Sequence, residues 1–451
     1  MKSLFIFRRD FRIIDNTALN YCYKNSDKII AIFIFTPEQV TKKNTYKSNN
    51  AIQFMIESLK NINVTINYCY GDYLKVIHYF ANKYKINNVF TNTDYTPYAI
   101  KRDKKINKLC KKLNVKFCLY HDITLYVPKT IVNQQNKIYQ KFTPFYRLLL
   151  SKSPKKINKQ KIKNIKFRKV NNKYIVKNIY KFYKKNSKIN VNGGRNNALI
   201  ILKKLNDFKK YGKNRDILNY ETTHLSGYLK FGCISIREVY YYFIQKLGKS
   251  HDLVKQLIWR EFYYHLGYGF INRFGISLKP DYDKIKWINN NTLLSKWQQG
   301  KTGFPIIDAC MTEINTTGYM HNRGRLIVAS FLIKNLHNDW RRGEKYFAQQ
   351  LLDYDVLVNQ GNWQWVAGTG ADSQPYFRIF NPWTQSKKFD KNCEYIKYWL
   401  PNLKEVDNKH IHEWDKYYNL YDLNKIKYIK PVIDYKKSRE IALKMYKDGL
   451  K

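Results

Sequence analysis

Along the first 125 residues, short apolar runs alternate with amphipathic stretches. SLFIF (3–7), KIIAIFIF (28–35), VTINYCY (64–70), NNVFTN (87–92) and VKFCLY (115–120) have the length and the β-branched, aromatic content of strands. Between them, NAIQFMIESLKNIN, YLKVIHYFANKY and AIKRDKKINKLCKKL repeat apolar residues at helical spacing. Strands that alternate with helices predict a parallel α/β domain of Rossmann-like type over 1–127. From 128 to 192 periodicity is lost, and stretches such as SKSPKKINKQKIKNIKFRKV predict a basic interdomain linker. From 193 onward helical patterns prevail, in GGRNNALIILKKL, VKQLIWREFYYHLGY, FPIIDACMTEINTTG, RLIVASFLIKNL and EKYFAQQLL, so a larger all-α domain is expected over 193–451.

Glycine usage changes this picture for any nucleotide. Gly71 is the only glycine before Gly193, so the α/β domain has no GxGxxG or Walker loop to cradle a phosphate. A nucleotide cofactor must therefore sit in the helical half. The net charge of +48 favours a polyanionic partner, since released counterions reward a basic surface, although a bias towards Lys, Asn, Ile and Tyr contributes to it. Seven cysteines without a CxxC pair argue against a disulfide framework or zinc site and for an intracellular, reducing compartment. No run approaches ~18 apolar residues, so no membrane segment is expected. The histidines of KHIHEWD (409–415) read as surface residues, and no metal is expected.

Eight of the nine tryptophans lie between 259 and 399, interspersed with Arg, Asp and Asn, as if around a flat aromatic ligand. Trp363 and Trp365 stand two positions apart, which on a helix separates their side chains by about 200° and gives them different surroundings.

The motifs RRDFRIIDNTAL, YQKFTPFYR, TTHLSGYLKFG, LIWREFYYH, WQQGKTGFPIIDA, GYMHNRGRL and the long run from Asp339 to Asp390 resemble, in family order, those of the photolyase/cryptochrome family. The resemblance spans nearly the whole chain and implies an antenna domain joined by a linker to a helical domain that holds FAD, active when reduced. It implies that Tyr211, Thr222, Thr223, Leu225, Ser226 and Arg260 hold the phosphates and ribityl chain, and that Arg325, Asp353 and Asp355 surround the isoalloxazine. Hydroxyls, amides and a guanidinium are sensible chemistry for a pyrophosphate. Asn359 matches the residue facing the flavin N5. Trp363, Trp340 and Trp287 match an electron-transfer series from cofactor to surface, whereas Trp365 and Trp259 match the aromatic walls against which a flipped-out base stacks.

In the same family, a histidine pair in the GYMHNRGRL motif marks enzymes for (6-4) adducts. Asn322 and Leu326 stand in the matching places, and with Arg323 they resemble the type that repairs cyclobutane pyrimidine dimers; His321 reads as structural. Gln256 departs from the glutamate usual in that type and is more typical of (6-4) enzymes and cryptochromes, while Arg215 resembles a contact to the lesion phosphate. The reading is therefore light-driven splitting of cyclobutane dimers in UV-damaged DNA by a monomer. A signalling cryptochrome and a (6-4) enzyme are the alternatives. Tyr95, Thr96, Pro97 and Tyr98 stand where folate-using relatives place a key glutamate, which disfavours a folate antenna and leaves the identity of a second chromophore open.

Overall fold

In the computed structural model, which describes residues 1–451, strands β1 (Lys2–Phe7), β2 (Lys28–Phe35), β3 (Asn67–Tyr70), β4 (Asn88–Asn92) and β5 (Lys116–Tyr120) form one parallel sheet in the order β3-β2-β1-β4-β5. The apolar runs need no polar side because both sheet faces are covered. Alternation sorts their side chains. Phe5, Phe7, Phe33 and Phe35 enter a core shared with α1 (Thr17–Lys24) and α2 (Asn49–Lys60). Leu4, Ile6, Ile32 and Ile34 enter a smaller core under α3 (Tyr73–Tyr84) and α4 (Pro97–Lys112). The aromatic face looks towards the rest of the molecule.

β3 is shorter than the run VTINYCY that predicts it, because Val64 to Ile66 precede the pairing with β2. The basic segment that follows the sheet repairs this edge. Tyr70 N donates to Tyr174 O (2.9 Å), Val176 N to Tyr68 O (2.8 Å) and Arg168 N to Ile29 O (2.9 Å), so residues 168–176 form a strap along β3 and the exposed end of β2. This occupies amides and carbonyls that would otherwise invite another chain. Before the strap, α5 (Phe142–Ser151) packs on the helical region.

That region contains α6 (Leu225–Lys230), α7 (Asp252–Gly269), α8 (Pro305–Thr317), α9 (Asn322–Lys334), α10 (Trp340–Gln350), α11 (Val356–Ala367) and, near the end, α12 (Tyr435–Gly449), with shorter helices between. Its interior gathers Trp297, Trp340, Trp363 and Trp414. The sheet's aromatic core runs without a break into Leu225, Tyr228, Leu257 and Phe262, so the two regions share one interior.

The RRDFR motif locks this junction. Arg12 and Arg237 converge on Asp122, and Arg237 Nε also reaches Asp15 (2.8 Å), all four groups being buried. Arg12 Nη1 donates to Gly232 O (3.1 Å). Gly232 has φ +63°, and a Cβ there would lie 2.3 Å from Arg9 O, so both its conformation and its contact require glycine. No helix is long and apolar enough to cross a membrane. The cysteines are free and buried. The expectation that the histidines of 409–415 lie at the surface fails for His412, which is buried against Ser386 Oγ (2.8 Å), while the partly buried His410 pairs with the Tyr421 hydroxyl (2.6 Å).

Candidate functional site

One large cavity, about 1450 Å³ with its mouth included, opens among α6, α7, α9 and α11. Its walls come from distant parts of the chain: Tyr211 and Arg215, the turn Thr222–Ser226, Gln256 and Arg260 of α7, Asn322, Arg325 and Leu326 of α9, Asp353 and Asp355 ahead of α11, and Asn359 and Trp363 on α11.

The turn is shaped for a bound acceptor. His224, in the left-handed region at φ +50°, introduces α6, and the amides of Thr222, Thr223 and His224 find no acceptor within the chain. Behind the turn, Arg325 grips Asp353 in a two-pronged pair (3.2 and 3.0 Å), Ser226 Oγ donates to the same carboxylate (2.6 Å), and Arg325 Nε donates to Met320 O (2.8 Å). Such a fork cannot rotate without breaking several bonds.

Asp355 is held from both regions, by Arg9 after β1 and Tyr264 of α7. Arg9 Nη2 and the Tyr264 hydroxyl each donate to its Oδ2 at 2.6 Å. Burial alone would raise its pKa, yet the positive charges of Arg9, Lys230 and Arg260 hold it well below the usual carboxylate range. Burial and the neighbouring Arg9 in turn push the Lys230 ammonium down to about 8. Asn359 donates from Nδ2 to Glu344 Oε1 (3.1 Å), which also accepts from the Tyr354 hydroxyl (2.8 Å); burial raises the Glu344 pKa.

The cavity wall carries four cationic side chains, Arg215, Lys230, Arg260 and Arg325, against two carboxylates, Asp353 and Asp355. That excess suits a dianionic group. Two buried polar atoms at the wall, Gln256 Nε2 and Asp355 Oδ1, have no partner within the chain, a state that costs free energy unless a ligand answers it. The free amides, the charge balance and the mixed apolar wall fit the pyrophosphate, ribityl chain and ring system of FAD.

Five of the residues singled out in the sequence lie outside this lining. Trp340 is fully buried at the start of α10 and Trp287 is partly buried beyond it, its ring edge-on to Tyr446 (5.7 Å). Trp363 meets Phe347 (5.0 Å) and Trp297 (6.4 Å), and its ring lies against Gly343, one turn after Trp340 on α10. Trp365 is partly buried against the helical core. Trp259 is covered face to face by Phe142 of α5, with centroids 3.6 Å apart and planes 3° from parallel. Arg323 pairs with Asp216 (2.7 Å) over the ring of Phe389.

Conversely, His224, Lys230, Tyr319 and Tyr354 line the cavity without having been singled out. All four stand inside the family motifs, but only the fold shows that they face inward. Arg9 and Glu344 act through Asp355 and Asn359, from 346 and 15 residues away, and no spacing rule connects them.

The family model described as DNA photolyase matches residues 3–163, and that described as the FAD binding domain of DNA photolyase matches residues 253–448. The chain is 37% identical to the deoxyribodipyrimidine photo-lyase of Buchnera aphidicola subsp. Acyrthosiphon pisum, over 99% of this chain and 97% of that one, and 32% identical to the protein of the same name from Vibrio cholerae, over 98% of each. Among solved structures, the archaeal photolyase from Sulfolobus tokodaii, crystallised with two FAD molecules, superposes with a TM-score of 0.88 at 37% identity, covering 99% of this chain and 100% of the other. The Synechocystis cryptochrome superposes with a TM-score of 0.86 at 25% identity, covering 99% of each chain.

Proposed function

Since the chain belongs to the DNA photolyase family, we propose how its own residues divide that family's work. The activity is light-dependent repair of cyclobutane pyrimidine dimers in DNA, with FAD as cofactor. When bound in its reduced form, FAD supplies under blue light the electron that opens the cyclobutane ring, and receives it back.

The chain's part is to bind, orient and exclude water. Thr222, Thr223, Leu225 and Ser226 would hold the cofactor's phosphates and ribityl hydroxyls with amides and hydroxyl groups, aided by Tyr211 and Arg260. Arg325, fixed by Asp353, which Ser226 also holds, would offer the ring system a charge that needs no reorganisation. Glu344 fixes the Asn359 amide, so its carbonyl end is free to face the ring. Gln256 Nε2, a donor without a partner, would serve a dimer carbonyl. Asn322 and Leu326 continue that wall, Trp365 would stack against the flipped bases, Trp259, one face of which Phe142 already covers, would offer them only its other face, and Arg215 and Arg323 would meet lesion phosphates. Asp216 pairs with a mostly buried Arg323 (side chains 36% and 16% exposed), so a lesion phosphate would have to take the place of Asp216 on that guanidinium. Trp363, Trp340 and Trp287 would carry charge between cavity and surface.

The observation that carries this division is the convergence, in one cavity, of polar groups with unanswered bonding capacity and an excess of positive charge. It is tested by exposing the photoreduced protein, in blue light and in darkness, to oligonucleotides bearing one cyclobutane thymine dimer or one (6-4) adduct. Reversal of the dimer alone, only in light, with loss of activity in Gln256→Ala and retention in Gln256→Glu, is expected. Reversal of the (6-4) adduct alone would overturn the lesion assignment.

A second, light-gathering chromophore is best seated in the cleft over the carboxyl ends of β2 and β3, where open α/β sheets bind ligands. Thr36, Asp72, Tyr73, Tyr98 and Arg102 line it, with Arg102 lying over both tyrosine rings. A flavin is the class supported by the likeness to the Sulfolobus protein. Uptake of a second FAD equivalent, lost in Tyr98→Ala, is the expected result.

A further inference from the structure

The sheet face under α3 and α4 is turned away from the cavity, and its core draws only on residues between Leu4 and Ile175. Over this outer face, α4 exposes Lys104, Lys108, Lys111 and Lys112 along one side. The helix's one acid, Asp103, is buried and committed to Arg8 (2.8 Å). Lysines four apart on a helix repel each other, and here no carboxylate offsets them.

Beside this stripe lies an open groove between α3 and the strap. Lys83 and Lys173 approach the same Tyr79 ring, at 5.4 and 5.5 Å, and Tyr174 and His78 line the groove with them. The segment 128–192 that supplies the strap contains no Asp or Glu. In the whole molecule only Lys141, Lys387 and Lys416 among the lysines meet a carboxylate, so none on this face is neutralised internally.

We propose that this outer face is a second DNA-binding surface, which holds the phosphate backbone of duplex DNA whether or not a lesion is present. Charge complementarity selects a polyanion, and the family's substrate, on which this choice of polyanion rests, makes that polyanion DNA. The tyrosines here lie under lysine ammonium groups, which suits contact with phosphates and not stacking on bases. The surface is separate from the lesion cavity, which opens within the helical region on the other side of the sheet. It lets the protein stay on undamaged DNA while the cavity is free to engage a dimer.

The test uses the full-length, FAD-loaded protein. One variant replaces Lys104, Lys108, Lys111 and Lys112 with Gln. A control removes the same charge from α12 by replacing Lys436, Lys437, Lys444 and Lys447 with Gln, all exposed. Affinity for a lesion-free duplex is measured against salt concentration by fluorescence anisotropy, and light-driven repair is measured on a short single strand carrying one dimer. The α4 variant is expected to bind the duplex at least about tenfold more weakly at low salt, and to flatten the slope of log K against log salt by about two to four, since each phosphate neutralised contributes about 0.9. Its repair of the short strand should be unchanged, and the control should bind like the parent protein. Equal losses in both variants would assign the effect to overall charge and overturn the proposal. So would unchanged duplex binding, a parallel loss of short-strand repair, or a loss confined to anionic lipid vesicles. Failure of the parent protein to repair any dimer would sink the functional reading, while the duplex measurement would still decide this one.

Discussion

At Gly343, one missing methyl group sets how closely Trp363 approaches α10. A Cβ there would lie 2.2 Å from the Trp363 ring and 2.5 Å from Leu332. Alanine improves helix propensity by up to about 1 kcal/mol, but overpacking costs about 1–3 kcal/mol. Gly343→Ala is therefore expected to lower stability by about 1–2 kcal/mol in urea unfolding and to slow light-driven reduction of bound FAD; unchanged values of both would show that Trp363 is not held by this contact. Glu261 on α7 is a second residue whose surroundings decide its chemistry. It is fully buried, accepts from the Leu125 and Tyr126 amides (2.9 and 3.4 Å), and has an Oε1 without a hydrogen bond. Its neighbour His265, pushed down to about 4 by burial, is neutral at ordinary pH and offers no charge. Burial raises the Glu261 pKa to about 7. The unfolded chain releases this proton near the usual 4.5, so the stabilising preference for the protonated form is present below that pH and lost as pH rises through about 7, to a total of about 3 kcal/mol. Glu261→Gln should thus stabilise the protein at about pH 8 and much less near pH 5, as read from Tm at the two values. Neither residue announces its role in the sequence. The motif singles out Asn359, which does line the cavity, whereas Glu344, Arg9 and Lys230 act by proximity across the fold, which linear spacing does not encode.

Among the elements, the strands and main helices were legible because a buried parallel strand reads as an uninterrupted apolar run and a half-buried helix as a 3.6-residue period. The runs KIIAIFIF and YLKVIHYFANKY correspond residue for residue to β2 and α3. The strap was not legible, since its order comes from hydrogen bonds to the edge of β3 and β2 and not from its own side-chain pattern. The docking of sheet to helices was hidden for the same reason: the aromatic side of β1 and β2 identifies a covered face but not what covers it. Gly232 reports on that docking. Its positive φ and its closeness to the Arg9 and Asp10 backbone mean that Gly232→Ala must strain the turn or part the regions. The expected outcome is a loss of about 2–4 kcal/mol, with a single urea transition in the parent becoming two in the variant as the sheet and the helical region unfold separately. Persistence of one transition at the parent midpoint would show that the Arg12, Arg237, Asp15 and Asp122 cluster alone fixes the junction.

For the whole molecule, the net charge of +48 acts in opposite directions on stability and on DNA binding. The ion pairs that join sheet and helices, at Asp122, Asp15 and Asp355, are buried and therefore weakly screened by salt. The lysines are mostly exposed and unpaired, so their mutual repulsion is screened readily. Raising salt from about 0.05 to 0.5 M, over which the Debye length shrinks from roughly 14 to 4 Å, should relieve that repulsion while leaving the junction intact. Tm is therefore expected to rise with salt, while affinity for DNA falls steeply because counterions no longer reward binding. A neutral protein with the same fold would show neither trend. If Tm instead falls together with DNA affinity, the junction pairs are open to solvent and the two regions dock more loosely than their shared core implies. If Tm holds constant, the surface lysines are too widely spread to repel, and the polyanion affinity must then come from a local concentration of charge such as the stripe on α4.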